Sequence, residues 1–134
     1  MQRILVVDDE IKICAFLEKF FQGRGFEVET TTSPVEALER IKVRRPDLVL
    51  LDVRMSPMSG LEVLRVARSL VPDLRVVMVS AIDDEQVVQE ALSLGAVDYV
   101  TKPFMLDGRW WAERFFWSSP GTQPPSHGPH APAA

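Results

Sequence analysis

The chain is poor in the residues that carry most acid–base and metal chemistry in proteins. Its one cysteine, Cys14, rules out an intrachain disulfide. Cys14 lies in an apolar stripe at helical spacing, so it reads as a small core residue. The two histidines, His127 and His130, both fall near the C-terminus. The body therefore lacks the imidazole that Ser-His-Asp or Cys-His catalysis needs, and it cannot build a histidine-rich metal centre. No apolar run approaches the ~20 residues of a transmembrane helix. The first apolar stretch, Ile4 to Val7, is too short for a signal peptide and runs into acid, so the protein is expected to be cytoplasmic. A net charge of −4 argues against the body gripping nucleic acid directly. The 134 residues are 46% hydrophobic and 25% charged, enough for one domain with a core of its own.

Short apolar runs alternate with segments of helical spacing. Arg3–Asp8 is β-branched and apolar, as a buried strand requires. Glu10–Gln22 places Ile13, Leu17 and Phe20 at helical intervals, and Gly23-Arg24-Gly25 ends that helix. Phe26–Thr31 predicts a second strand. Ser33-Pro34-Val35-Glu36 predicts a helix start with a capping box, and Arg45-Pro46 a stop. Asp47–Asp52 reads as a third strand. Ser59-Gly60 opens a helix that Pro72 and Asp73 break. Leu74–Ser80 reads as a fourth strand, and Asp83 or Asp84 can cap a helix over Glu85–Leu94 that Gly95 ends. Val97–Thr101 completes five strands. Continuous rather than alternating apolar strands predict a doubly wound α/β fold, with a five-stranded parallel sheet covered on both faces.

The C-terminal end departs from this rhythm. A fifth amphipathic helix is expected after Phe104, but residues 105–117 are rich in aromatics on every side. The fifth helix is therefore expected to be atypical or missing. Residues 118–134 hold half of the prolines and little that could be buried, and are expected to be disordered, with His127 and His130 part of that tail. The body is taken as residues 1–104.

Chemistry gathers at the strand ends. The first strand ends in Asp8-Asp9, the third in Asp52 and the fourth in Ser80; Lys102 follows the fifth. In a parallel doubly wound sheet, the carboxyl ends of the strands form the ligand site. Three carboxylates stay ionised together only when a cation holds them. With no thiolate or imidazole nearby, a hard, oxygen-bound Mg2+ fits better than zinc. Lys102 adds a positive charge and Ser80 a hydroxyl, which suits an anion with several oxygens. A phosphoryl group carried on one carboxylate satisfies the set. Asp8 and Asp9 are placed to hold the metal. Asp52, alone at the end of the central strand, is the better acceptor.

These residues resemble the receiver domain of two-component response regulators. The likeness rests on Leu5-Val6-Val7-Asp8-Asp9-Glu10, Leu50-Leu51-Asp52-Val53-Arg54-Met55, Val79-Ser80-Ala81 and Asp98-Tyr99-Val100-Thr101-Lys102-Pro103-Phe104, and runs from about Arg3 to Phe104. The resemblance implies a flavodoxin-like fold with strand order 2-1-3-4-5. It implies that Asp52 takes a phosphoryl group from a histidine of a sensor kinase. Mg2+ would be held by Asp8, Asp9, Asp52 and the carbonyl of Arg54. It further implies that Ser80 rotates onto the phosphate, that Tyr99 turns inward, that Lys102 pairs with the phosphate, and that Lys102-Pro103 is a cis peptide. Such a domain is a switch that catalyses only its own phosphorylation and dephosphorylation, and it can pair as a homodimer. One departure falls four residues after Asp52, where receivers usually carry proline and this chain has Ser56 followed by Pro57. Two other readings compete. A haloacid-dehalogenase-type phosphatase also uses a strand-end Asp and Mg2+, but it wants a second Asp where Arg54 stands. A binding module that works without phosphate needs none of the rim chemistry.

Overall fold

A computed structural model describes residues 2–102. The elements follow in order: β1 (Arg3–Val7), α1 (Ile11–Gln22), β2 (Glu27–Thr31), α2 (Pro34–Val43), β3 (Leu48–Leu51), α3 (Gly60–Leu70), β4 (Val76–Ser80), α4 (Glu85–Ser93) and β5 (Asp98–Thr101). The strands form one parallel sheet in the order β2-β1-β3-β4-β5. The fold class and strand order are those expected. Residues 103–134 lie outside the described residues, and with them the fifth helix, the aromatic segment, the tail and its histidines, and the Lys102-Pro103 peptide.

The three central strands, β1, β3 and β4, are almost wholly apolar because their residues face one of two cores, whereas the edge strands β2 and β5 mix polar with apolar residues. Leu5, Val7, Val49, Leu51 and Met78 point to one side, where α2, α3 and α4 supply Ala37, Ile41, Val63, Leu64, Ala67, Val88 and Ala91. Ile4, Val6, Leu48, Leu50, Val77 and Val79 point to the other, against Cys14, Leu17 and Phe21 of α1. Each large side chain so buried contributes about 1.5–3 kcal/mol. Cys14 is in the core, as expected. Its thiol donates to the carbonyl of Asp8 at 3.3 Å, and burial, then the charge of Asp8, push its pKa up to about 11, so it stays protonated.

Helix ends correct the sequence reading in two places, at α1 and α2. Glu10 is not in α1 but at its N-cap, in extended backbone. At α2 the capping box is only half formed. Ser33 accepts from the amide of Glu36 at 3.1 Å, while Glu36 turns to Thr31 and Arg40, and Thr31 Oγ1 takes the Ser33 amide instead. The complete box is at α3: Ser59 accepts from the Glu62 amide at 3.2 Å, and Glu62 accepts from the Ser59 amide at 3.0 Å. Of the two candidate caps for α4, Asp84 is the one used.

One side chain ties the bottom of the fold together. The half-buried Arg68, in the last turn of α3, donates to the carbonyls of Pro72 at 2.9 Å, Leu74 at 2.6 Å and Gly95 at 2.8 Å. It thereby clamps the α3–β4 turn to the end of α4, where Gly95 adopts φ +101. Arg68→Ala leaves those carbonyls without their charged donor and is expected to cost about 2 kcal/mol in denaturant unfolding. A change below about 0.5 kcal/mol, the usual size of a surface substitution, would show the clamp to be ornamental.

Candidate functional site

The sheet carries its polar side chains to one rim. Asp8 follows β1, and its amide donates to Thr31 of β2 at 3.2 Å. Asp52 follows β3, and its amide donates to Val7 of β1 at 2.9 Å. Ser80 ends β4, and the amide of Lys102 donates to its carbonyl at 2.8 Å. Each site residue is thus fixed by a backbone bond to a neighbouring strand, which is how a rigid sheet positions a site. Asp8, Asp52 and Ser80 are buried, while Asp9 and Glu10 are exposed.

One carboxylate oxygen from each of Asp8, Asp9, Glu10 and Asp52 lies within 4.8 Å of the others. The ammonium of Lys102 sits among them, 2.7 Å from Glu10 Oε1, 3.0 Å from Asp8 Oδ2 and 3.6 Å from Asp52 Oδ2. Burial opposes its charge, but Glu10, Asp52 and Asp8 override it and hold the ammonium above the ordinary lysine range. Four carboxylates against one ammonium leave an all-oxygen cluster with excess negative charge. That donor set fits a hard divalent cation such as Mg2+ and lacks the soft ligands zinc prefers.

The strain of this crowding is visible at Asp52. Burial, and next the charge of Asp8, raise its pKa from an ordinary 3.8 to about 6; Lys102 and the Ser80 hydroxyl pull the other way. Burial raises Asp8 as well. A raised carboxyl pKa stabilises the fold fully below the unfolded value, near 3.8, and that contribution is lost as pH rises through about 6. In cation-free buffer at pH 8, Asp52→Asn is therefore expected to be more stable than wild type by about 2 kcal/mol. The gap should narrow as pH falls below about 6 and close near 3.8, and it should also close on adding Mg2+ to wild type. Thermal unfolding in chelator across this range checks it; an Asn variant no more stable at pH 8 would refute the account.

The remaining predicted residues fall around this cluster. Ser80 Oγ accepts from the amide of Ile82 at 3.1 Å. Tyr99 lies inward and wholly buried, its hydroxyl donating to the carbonyl of Ile82 at 2.6 Å. Ser80 and Tyr99 thus grip the same residue of the β4–α4 loop. Arg54 stands in the β3–α3 loop with its side chain exposed. In that loop the Ser56-Pro57 peptide is cis. Two contributors escaped the sequence reading. By its spacing Glu10 belongs to the start of a helix, although it also extends the acidic run Asp8-Asp9. Gly60 starts α3, as its sequence context predicts, and its α-carbon also lies against the backbone of Asp52, where an added Cβ would come within 1.9 Å of the Asp52 carbonyl oxygen.

A doubly wound parallel sheet with an acidic rim and a strand-end lysine defines a class of signalling switches, and sequence comparison places the chain within it. The sequence profile of the response regulator receiver domain matches residues 4–108, and the chain belongs to that family. It is 40% identical over 104 residues to the transcriptional regulatory protein ZraR of Escherichia coli O157:H7, covering 78% of this chain and 24% of that protein. It is 33% identical over 106 residues to sporulation initiation phosphotransferase F of Bacillus subtilis strain 168, covering 79% of this chain and 86% of that one. A solved CheX-CheY-BeF3-Mg+2 complex from Borrelia burgdorferi superposes with a TM-score of 0.74 at 29% identity, covering 83% of this chain and 88% of that one. The chain thus spans about a quarter of ZraR. Because ZraR is a transcriptional regulator, the expectation that this chain makes no nucleic-acid contact draws no support from it. Among the described residues, no helix is long and apolar enough to cross a membrane.

Proposed function

We propose that the chain is a cytoplasmic phosphoacceptor switch, in which Asp52 takes a phosphoryl group from a histidine of a sensor kinase. The observation that carries this reading is the setting of Asp52: buried at the end of the central strand, 3.6 Å from the Lys102 ammonium, and grouped with Asp8 and Asp9. An Asp52 oxygen attacks phosphorus in line. The new P–O bond forms as the P–N bond to the donor imidazole breaks, and the electron pair stays with that nitrogen. Asp8, Asp9, Asp52 and the carbonyl of Arg54 would hold Mg2+, which when bound offsets charge on the transferring oxygens. Lys102 then pairs with the phosphate in place of its present carboxylate partners. Ser80, on turning its hydroxyl to the phosphate, gives up the Ile82 amide. Because Tyr99 holds the carbonyl of Ile82, that exchange reaches the β4–α4 loop, and the two arrangements form a charge-biased equilibrium. The test is direct: a small phosphodonor with Mg2+ should add one phosphoryl group to the intact protein by mass, and a wild-type chain that gains none would refute the reading.

A further inference from the structure

Glu10 has no part in the relay just described, yet it makes the shortest of the three Lys102 ion pairs. A carboxylate at a helix N-cap ordinarily accepts amide hydrogens from the first turn. Glu10 makes no such bond. Its amide is pinned by Asp8 Oδ1 at 2.9 Å, and its side chain reaches instead to Lys102, 92 residues along the chain, at 2.7 Å. The carboxylate is exposed at the mouth of the site, outside the buried Asp8 and Asp52. Lys102 is thereby drawn toward the rim and stands farther from Asp52 than from either other partner.

We propose that Glu10 is a positioning residue that latches Lys102 away from Asp52 in the unphosphorylated protein, strengthening the site's hold on a divalent cation while restraining phosphoryl uptake. The inference rests on the reading of Asp52 as acceptor. Without the Glu10 carboxylate, the nearest anions left to Lys102 are Asp8 and Asp52, and the ammonium competes with a cation for both. One negative charge also leaves the cluster. Both changes weaken cation binding. They also favour the incoming phosphoryl anion, since the ammonium then lies closer to the oxygen that accepts it and repulsion falls.

The test uses Glu10→Gln, which is isosteric at an exposed position. Calorimetric titration with Mg2+ alone should show a Kd raised roughly five- to tenfold, the scale of one unit charge a few ångströms away at the protein surface. At saturating Mg2+, the rate of uptake from a small phosphodonor should rise, by roughly threefold or more for a restraint of about 0.7 kcal/mol. Glu39→Gln, the same charge change on the exposed side of α2, should move neither quantity. Glu10→Asp, which keeps the charge and shortens the reach, should hold the Mg2+ affinity near wild type. An unchanged Mg2+ Kd or an unchanged saturated rate in Glu10→Gln overturns the proposal, as does an equal shift in Glu39→Gln. A wild-type chain that binds Mg2+ but takes up no phosphoryl group would sink the acceptor reading instead, and the Mg2+ titration separates the two failures.

Discussion

Asp52→Asn abolishes uptake of the phosphoryl group while leaving the protein folded. The reason is chemical. The amide oxygen of asparagine is far less nucleophilic than a carboxylate and cannot yield a stable acyl phosphate, so no partial activity is expected at that position. The reason is also structural. Asparagine has the size of aspartate, keeps the backbone bond to Val7, and removes a buried charge that Asp8 opposes. Loss of uptake with gained or equal stability in cation-free buffer is a combination that a damaged fold cannot mimic. Intact-mass measurement after treatment with a small phosphodonor and Mg2+ reads the first part, and thermal unfolding reads the second. If the variant still gains one phosphoryl mass, Asp8 or Asp9 is the acceptor and the roles around the rim must be redrawn. The pair Asp8→Asn and Asp9→Asn would then locate it. On the present reading, both instead reduce Mg2+ affinity and leave the attacking oxygen in place.

Much of this site is legible in the sequence, and the reason lies in the parallel sheet. When every strand runs the same way, the residue after each apolar run must reach the same rim, so Asp8, Asp52, Ser80 and Lys102 could be brought together by reading strand ends alone. What failed to read were competitions between neighbours. Ser33 with Glu36 and Ser59 with Glu62 have the same spacing, and both satisfy the capping pattern. Only the second closes, because Thr31 supplies a hydroxyl to Glu36 and to the Ser33 amide. Asp83 and Asp84 are equivalent as letters; in the fold the cap is Asp84, whose carboxylate accepts from the Gln86 amide at 2.8 Å. Glu10 looked like a helix residue because its partner is 92 positions away, across the ends of β1 and β5. Sequence spacing reports faces and ends of elements, whereas the length of a side chain's reach across a rim is a property of the assembled sheet.

Gly60 shows the same limit and gives the second large expected effect. Its amide donates to the carbonyl of Val53 at 2.7 Å, drawing the start of α3 against the segment that leaves Asp52. A Cβ there would lie 1.9 Å from the Asp52 carbonyl oxygen and 2.9 Å from the Val53 α-carbon. These neighbours are backbone, not the flexible end of a side chain, so one of the two segments must move. Gly60→Ala is expected to cost about 3 kcal/mol, at the upper end for an overpacked core. The displaced segment carries the attacking carboxylate, so phosphoryl uptake should slow as well, roughly tenfold or more, because a misplacement near 1 Å can cost a hundredfold. Gly25→Ala is the fitting comparison. That glycine has φ +90 but open space around it, so alanine there strains only its own backbone. It should cost about 1 kcal/mol and leave uptake alone. Denaturant unfolding and uptake rates on both variants separate the two cases. Equal stability losses, or a Gly60→Ala protein that takes up phosphoryl groups at the wild-type rate, would mean that α3 can shift without moving Asp52, and that the site tolerates more play than this close approach implies.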